Sequence, residues 1–324
     1  HCVDGSADVA EGLFLSAGAV NALRRDALAA LEAARCAVLE RREAGYAPLP
    51  EIDCAADPPE LTVSVTTWAQ AETLLPLSPA RMDIPLELLA ERTSLPDFVG
   101  EWCAILPRVW RDRDEPQLRA WLTHAKKLGV TSALAGNIGH LSLLRDTGLI
   151  VRGDYGLNVF NSRALNYLRQ KGLSSACLSF ELRFPQLRDI QKVIPAEAIV
   201  YGRLPLMLME NCVIANSLGC CDVGSDYRKR SSACRCTGEN VLTDRTGARF
   251  PLMPAWGHRN ELENSRTLFL ADKPEWRRLG LTYARLRFTT ESPAECVAAL
   301  QRYQGQGDYI PANLTRGLFY RGVE

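Results

Sequence analysis

Five of the eleven cysteines in this chain lie in one polar stretch, among Gly, Ser, Asp, Arg and Lys residues: Cys212, Cys220, Cys221, Cys234 and Cys236. No apolar periodicity surrounds them, so burial in a core does not explain their number. Thiolates that converge on one point are ligands for zinc or for an iron-sulfur cluster. The sequence therefore predicts a metal site within a cysteine-rich insertion at residues 210–265.

The spacing of these cysteines matches neither a paired zinc ribbon nor a ferredoxin run, so it leaves the metal open. Cys212 follows an apolar strand pattern and is expected to be one ligand. Adjacent side chains rarely point at the same ion, so one of Cys220 and Cys221 is the second ligand. The predicted metal ligands are Cys212, Cys221, Cys234 and Cys236, with Cys220 and His258 as further cofactor-binding candidates. His258 is equally consistent with an exposed loop histidine.

Four other cysteines occur singly in apolar segments, and we expect them to be core residues: Cys36, Cys103, Cys177 and Cys296. Scattered single cysteines and an odd total favour a reducing compartment over disulfides. The first residues lack a signal-peptide pattern, and no apolar run approaches the roughly 18 residues of a membrane span. We therefore expect a soluble, cytoplasmic protein with no membrane partner.

The first 57 residues predict a helical segment and a linker, which we expect to be the tail of an upstream domain. Ser16 is placed as an N-cap, and apolar residues recur after it at helical spacing: Val20, Leu23, Leu28, Leu31 and Val38. The Pro- and Asp-rich stretch that follows is typical of a linker. A second domain is then expected over residues 58–324.

Eight short apolar runs alternate with helical patterns from Leu61 onward. Such runs are expected of a parallel sheet that is buried on both faces. The predicted fold is a TIM-like (β/α) barrel in which the cysteine-rich loop and a β-hairpin follow a late strand. An open doubly wound sheet is the alternative, although no Gly-rich dinucleotide motif favours it.

Polar residues at the predicted strand ends are candidates for catalysis, because active sites of such barrels form there. Asp154, Glu181 and Arg203 are the candidate catalytic residues, and Asn158 and Asn161 are candidates for substrate binding. Asn137, His140 and Ser179 occupy similar positions. Asn161 and Asn137 are also suited to capping the helices that follow, and Glu181 to the first turn of a helix.

The run Arg228, Lys229 and Arg230 lies inside the cysteine-rich stretch, close to Arg235. The total charge of the chain is balanced, with 38 basic and 38 acidic residues, so any nucleic-acid surface must be local. The basic run would hold phosphates beside the predicted cluster, or it is a solvated loop face. Tyr227 and Trp256 would stack on a base or pack against the hairpin.

Several segments together resemble the U32 peptidase (collagenase-like) family over most of the chain: AVNALRRDALAAL, GDYGLNVFNSRAL, SFELRFPQL, AEAIVYGRLPLMLMENC, LTDRTGARFP, RNELENS and LTRGLFYRGV. The resemblance implies a TIM-like barrel. It also implies that this chain is the C-terminal portion of a long member, with a further half upstream.

The resemblance also implies chemistry. Members of this family are similar to iron-sulfur proteins that hydroxylate bases in ribosomal or transfer RNA, or that take part in ubiquinone hydroxylation without oxygen. Their cysteines bind a [4Fe-4S] cluster, and Cys212 is the surest match here. The family's fourth cysteine usually follows the hairpin, where this chain has His258 and no cysteine. Either His258 substitutes, or the doubled cysteines compensate, or the site holds zinc.

Three functions follow as hypotheses. The favoured one is an iron-sulfur enzyme that hydroxylates an RNA base. The second is a peptidase with a peptide substrate, but the sequence contains no HExxH or GxSxG motif for amide hydrolysis. The third is a zinc-stabilised binding module without catalytic activity.

Overall fold

The computed structural model describes residues 10–38, 45, 47–219 and 239–321. It divides the chain into two compact units, one up to Pro48 and one from Leu49 onward. Each unit is described by itself below. The predicted boundary near residue 57 stays a prediction.

The first unit contains one helix, α1 (Ala17–Cys36), among its described residues. The Ser16 Oγ accepts a hydrogen bond from the Ala19 amide at 3.1 Å, so the predicted N-cap is confirmed. No residue of α1 is buried. Cys36 is exposed, so its assignment to a core is wrong. The helical periodicity around Cys36 predicts an apolar face on the helix. It does not predict whether another part of the protein covers that face.

The second unit is a closed barrel of eight parallel strands. The strands are β1 (Glu60–Ser64), β2 (Arg81–Pro85), β3 (Glu101–Ile105), β4 (Ser132–Ala135), β5 (Ile150–Gly153), β6 (Ser175–Cys177), β7 (Ala196–Met209) and β11 (Tyr283–Arg287). They pair in chain order from β1 to β7, and β11 closes the barrel by pairing with both β7 and β1. The predicted TIM-like barrel is confirmed, and the alternative of an open sheet is wrong.

Seven helices of the described residues surround the barrel: α2 (Trp68–Leu74), α3 (Leu86–Ala90), α4 (Glu115–Lys127), α5 (His140–Leu144), α6 (Ser162–Gln170), α7 (Phe184–Asp189) and α9 (Pro293–Tyr303). A further helix, α8 (Val213–Leu218), follows the end of β7 and packs on β9 and β10. Short 3-10 turns lie at Leu75–Leu77, Asp112–Asp114, Tyr155–Leu157 and Pro274–Arg278. Thr67, Asn161 and Ser292 cap the helices that follow them. None of the helices in the described residues is both long and apolar enough to cross a membrane.

The hydrophobic core lies between the outer face of the barrel and these helices. Val63, Ile84, Ala104, Ala133 and Leu286 face outward from their strands and are fully buried. Cys177 and Cys296 belong to the same cluster, and Cys103 is also fully buried, so these three are confirmed as buried cysteines. Apolar strand residues and helix faces thus form one continuous shell.

An antiparallel ribbon extends the barrel beyond the end of β7. It consists of the outer half of β7 with β10 (Arg259–Phe269), β9 (Arg249–Ala255) and β8 (Val241–Thr243), and β12 (Leu314–Thr315) pairs with β10. β7 leaves the barrel at Gly202, where a Cβ would stand 1.9 Å from the Arg287 carbonyl oxygen. Only glycine fits this close approach. The predicted hairpin turn is confirmed, because the Asp244 amide donates to the Ala248 carbonyl between β8 and β9.

Candidate active site

The interior of the barrel is filled by charged side chains rather than by apolar ones. Arg81 donates to Asp83 at 2.6 Å and to Glu197 at 2.7 Å. Arg285 pairs with Glu197, lies 3.4 Å from Asp83 and reaches Asp154 at 2.5 Å. All five side chains are almost fully buried. We call these five residues the inner network; it joins strands on opposite sides of the barrel.

The inner network determines the charge state of its central carboxylate. Burial alone would raise the pKa of Glu197, but the guanidinium groups of Arg285 and Arg81 outweigh burial and lower that pKa to about 2. The Thr62 hydroxyl also donates to Glu197 at 2.7 Å. Glu197 is therefore ionised at neutral pH and holds both arginines in fixed positions.

A second charged layer lies above the inner network, at the carboxyl ends of the strands. Arg287, at the end of β11, donates two 2.8 Å hydrogen bonds to the Glu263 carboxylate. It also lies 3.4 Å from Glu261, which accepts a 2.7 Å hydrogen bond from Arg108. The ring of Tyr155 lies 5.3 Å from the Arg108 guanidinium and 5.7 Å from that of Arg287. We call these five residues the mouth network.

Burial and charge act on the mouth network in opposite directions. Burial raises the pKa of Glu263 more than the guanidinium of Arg287 lowers it. Burial likewise raises the pKa of the Tyr155 phenol, so this tyrosine stays protonated across the physiological range. The mouth network therefore offers fixed donors and acceptors, and its phenol is a weak acid.

A cavity of about 520 Å³ opens beside the mouth network. Its walls come from the ends of β3, β4 and β5, from α6 and from the outer half of β7. The lining residues include Arg108, Gly136, Asn137, Tyr167 and Leu208. This volume falls within the range of small-molecule sites. The cavity lies at the carboxyl ends of the barrel strands, where active sites of this fold form.

Cys212 lies four residues beyond Leu208, at the end of the β7 ribbon. It is the N-cap residue of α8, and its Sγ accepts a hydrogen bond from the Ala215 amide at 3.4 Å. Its side chain is 8% exposed and packs in a small cluster with Ile214 and Leu252. Asn260 on β10 supports the same helix, because its Oδ1 accepts from the Ile214 amide at 3.4 Å.

His258 lies in the turn between β9 and β10 and is half-buried. Its φ of 56° is in the left-handed region, which a tight turn requires. The antiparallel register that pairs Asn260 with Met209 places this turn at the same end of the ribbon as Cys212. The two predicted ligands are thus brought to one end of the ribbon by elements far apart in sequence.

Four of the predicted cluster ligands lie outside the described residues: Cys220, Cys221, Cys234 and Cys236. The basic run Arg228, Lys229 and Arg230, together with Arg235 and Tyr227, also lies outside them. Across the described parts of the chain, no group of three or more His, Cys, Asp or Glu residues is placed to hold a metal ion. Cys212 and His258 are the two predicted ligands whose surroundings the structure gives.

The three candidate catalytic residues are found in different environments. Asp154 follows β5 and joins the inner network to the mouth, with its Oδ1 bound by Arg285 and by the Tyr155 amide. Arg203 on β7 donates to the Asn264 carbonyl and to the Thr290 hydroxyl, at 2.8 and 3.2 Å. Glu181 is half-buried after β6. Oδ2 of Asp154 lies 3.7 Å from the position that a Cβ on the cavity-lining Gly136 would occupy.

The candidate asparagines have local structural roles. The Asn161 Oδ1 accepts a hydrogen bond from the Ala164 amide at 2.9 Å, so it caps α6. Asn158 is exposed and adopts a left-handed φ of 49° after a 3-10 turn. Asn137 lines the cavity, and its amide group is held by the Arg108 carbonyl and the Gly139 amide. Their roles in substrate binding stay predictions.

His140 and Trp256 are buried rather than open to a substrate. Burial lowers the pKa of His140 to about 4, and its Nε2 lies 3.0 Å from the Pro107 carbonyl oxygen. Trp256 is 8% exposed and packs edge to face on Trp121, with ring centroids 5.2 Å apart. Of the two predicted roles of Trp256, packing is the one observed.

None of the five residues of the mouth network is among the site residues predicted from sequence. Glu261 and Glu263 belong to RNELENS, one of the segments that resemble the U32 family. The signal that was present is a period of two: Arg81 and Asp83, Glu261 and Glu263, and Arg285 and Arg287 each lie two positions apart on a strand. Residues with that spacing share one face of a strand.

The model of peptidase family U32 matches residues 102–239, from β3 to the cysteine-rich segment. Among solved structures, the U32 peptidase Mk0906 is similar, with 11% identity and a TM-score of 0.42 over 75% of this chain and 98% of its own. The putative copper homeostasis protein CutC from Streptococcus agalactiae is similar with 11% identity and a TM-score of 0.35, over 43% of this chain and 86% of its own. No curated protein matches the sequence. The family match covers 138 of the 324 residues, the part of the barrel that forms the cavity and leads into the cysteine-rich segment, and over that part the chain is similar to peptidase family U32.

Proposed function

We propose that this chain is an iron-sulfur enzyme that hydroxylates a base of ribosomal or transfer RNA. The observation that supports this most directly is the position of Cys212. Its buried sulfur stands at the end of the strand that also supplies Leu208 to the cavity wall. A metal-binding segment that starts there would begin beside the substrate cavity.

The donor set fits a cluster or a zinc ion. Cys212, one of Cys220 and Cys221, and one of Cys234 and Cys236 would supply three soft thiolates, and the remaining cysteines or His258 would supply the fourth ligand. The hydrogen bond from the Ala215 amide holds the Cys212 Sγ at the N-terminal end of α8. A bound [4Fe-4S] cluster would supply one-electron transfer. Zinc would occupy the same ligands without redox chemistry.

Hydroxylation converts a C–H bond of the base into C–OH, which removes two electrons from the base. An oxygen-atom donor would supply the oxygen and accept those two electrons. The residues of this chain would contribute a site that holds the base and excludes water. The cavity offers apolar walls for that purpose, formed by Ile138, Leu157, Leu168 and Leu208.

RNA as the substrate is supported by the size and lining of the cavity. Enzymes that act on a base take it out of the stack and hold it between aromatic or apolar side chains. Tyr167 is 48% exposed at the cavity, where its ring is open to such contact. The predicted phosphate contacts are Arg228, Lys229 and Arg230.

Peptide hydrolysis is the weaker alternative. It requires a nucleophile paired with a base, or a metal-bound water. Among the described residues that line the cavity there is no Ser, Thr, Cys or His. His140, the histidine closest in sequence to the lining residues, is buried and bound to a backbone carbonyl.

The deciding experiment is anaerobic purification with a visible spectrum and quantitation of iron, sulfide and zinc. We expect broad visible absorption with matched iron and sulfide, which Cys212→Ala abolishes. Cys296→Ala is the matched control, because Cys296 is fully buried on α9 in the hydrophobic core. Mass mapping of ribosomal and transfer RNA from cells with and without the gene should then show one base that loses an oxygen atom.

Two results would contradict the proposal. A colourless protein with one zinc and no turnover would indicate a zinc-stabilised binding module. Cleavage of peptides or denatured collagen by iron-free protein would indicate a peptidase.

A further inference from the structure

Gly136 lines the cavity and has no side chain, so it leaves a gap in the cavity wall. A Cβ built on it would lie 3.5 Å from Cγ of Arg108 and 3.7 Å from Oδ2 of Asp154. Both side chains therefore flank the same empty point. The backbone of Gly156, which also lines the cavity, packs tightly against that of Gly136: a Cβ on Gly156 would stand 2.3 Å from the Gly136 carbonyl oxygen. The cavity thus has a patch of bare backbone between the side-chain stem of Arg108 and the carboxylate of Asp154.

Arg108 supplies hydrogen-bond donors at this patch. Its Nη1 donates to Glu261, and its ring contact is with Tyr155, so the side chain is held from two sides. Within the described residues, Nε and Nη2 donate no hydrogen bond. The side chain is 33% exposed, and it lines the cavity. The N–H groups of these two nitrogens are therefore free to meet a ligand.

Asp154 supplies an acceptor on the other side of the patch. Its Oδ1 accepts from Arg285 and from the Tyr155 amide. Its Oδ2 accepts no hydrogen bond from the described residues, although the residue is only 3% exposed. An oxygen of a nearly buried carboxylate normally has a partner, and Oδ2 is not among the fully buried unpartnered atoms of the described residues, so a ligand can reach it. The partner is expected on the side of Gly136, which Oδ2 faces.

The charges at the patch argue against an anionic ligand. The guanidinium of Arg108 is already neutralised by Glu261 at 2.7 Å, and Asp154 would repel a phosphate or carboxylate placed beside it. A neutral group with one acceptor and one donor on the same edge satisfies both residues. The apolar walls and the exposed ring of Tyr167 suit a flat ring.

We propose that this cavity binds a planar ring whose edge carries a carbonyl oxygen next to an N–H, the edge of a cyclic amide. Arg108 donates to the carbonyl oxygen, and Oδ2 of Asp154 accepts from the N–H. Gly136 leaves room for that edge, and Glu261 is a positioning residue for Arg108. This deepens the proposed function, on which it rests for the identity of the ring as a base in RNA.

The test uses 2-pyridone, a minimal cyclic amide, and 1-methyl-2-pyridone, which lacks the N–H. Binding to the full chain is measured by saturation-transfer NMR in the absence of RNA. We expect 2-pyridone to bind with a dissociation constant on the order of 1 mM, as is reasonable for so small a ligand. The methylated probe should bind at least about tenfold more weakly, the cost of one unmade hydrogen bond to a charged group.

Gly136→Ala is the central variant. The added methyl meets its neighbours at ordinary contact distances, so the fold should be preserved while the gap is filled. We expect it to abolish 2-pyridone binding, and Arg108→Met to weaken binding by about tenfold or more. Glu261→Gln tests the positioning role: binding should weaken, and the preference for 2-pyridone over its methylated form should shrink. Gly18→Ala, on α1 and with its nearest neighbour at 3.8 Å, is the control.

Equal binding of both probes, or unchanged binding in a folded Gly136→Ala variant, would overturn the inference. The outcome is separable from that of the proposed function, because the binding assay needs no cluster and no RNA. Loss of the cluster with retained 2-pyridone binding would reject only the redox function. RNA hydroxylation that survives Gly136→Ala would reject only the cavity as the site of the base.

Discussion

Two adjacent residues on β11 face opposite sides of the barrel wall. Arg285 points inward and meets Asp83, Asp154 and Glu197, whereas Leu286 points outward into the shell of helices. The outer side is stabilised by burial of apolar surface, which requires no particular partner. The inner side is stable only if each buried charge is paired with an opposite charge. Substitutions should therefore be tolerated better in the outer shell than in the charged interior.

The strongest test of this contrast is Arg285→Met. It leaves three buried carboxylates with only Arg81 to balance them, and removing one partner of a buried ion pair costs about 3–5 kcal/mol. We expect a loss of that size in the free energy of unfolding, measured by urea denaturation at pH 7. A neutral or stabilising effect would show that the inner network is dispensable for stability.

Leu286→Ala is the matched change on the outer side. Leu286 is fully buried, and truncation of a core leucine costs about 2–5 kcal/mol, depending on how far its neighbours collapse. The same denaturation assay measures it. The two variants should differ in 2-pyridone binding, because Arg285 is bound to Asp154 whereas Leu286 faces the outer shell. Binding that falls equally in both would argue against the separation of the two sides.

His140 extends the comparison to a buried group outside both networks. Its pKa is lowered from 6.5 to about 4 by burial, so the folded protein binds fewer protons than the unfolded chain between those values. Stability attributable to this residue is therefore present above pH 6.5 and is lost as the pH falls toward 4. The slope is up to about 1.4 kcal/mol per pH unit.

Chemical denaturation of the wild type and of His140→Gln across that pH range measures this effect. The glutamine can keep a hydrogen bond to the Pro107 carbonyl without titrating. The difference between the two proteins should shrink as the pH falls. A difference that does not change with pH would assign the acid sensitivity to other groups.

The smallest effect is expected at a surface ion pair. Arg92 and Glu72 lie 3.6 Å apart, with 36% and 52% of their side chains exposed. Glu72→Gln should cost less than about 1 kcal/mol, because solvent screens such pairs. Arg92 retains its contact with the Trp68 ring, 4.6 Å away. A loss as large as that of Arg285→Met would mean that burial does not distinguish the two kinds of pair.

Much of the fold could be predicted because its signals are local. Each barrel strand is a short run of mostly apolar residues next to a helical pattern, and alternation of the two favours a barrel. Ser16 and Asn161 mark the first turns of two helices, because their side chains accept hydrogen bonds from amides three residues ahead. The Asp244 turn is likewise closed within four residues. Such contacts can be inferred without knowledge of the rest of the chain.

The candidate site was predicted only in part. Asp154 is a predicted site residue because it follows a strand, and its Oδ2 lies next to Gly136, which lines the cavity. Arg108 and Glu261 were not, because they are 153 positions apart and their hydrogen bond forms only when the barrel and the ribbon come together. The exposure of Cys36 was misjudged for the converse reason, since its pattern gave no information about a covering surface.

The sequence by itself determined the order of the elements, the spacing of two positions between charged residues on the strands, and the clustering of five cysteines at and after the end of β7. Those properties depend on residues a few positions apart. Only the tertiary structure decided that Arg81, Glu197 and Arg285 meet inside the barrel, and that Arg108 and Asp154 flank the gap at Gly136. Closure of a barrel brings distant strand ends to one mouth, and no local interaction encodes which of them will be neighbours.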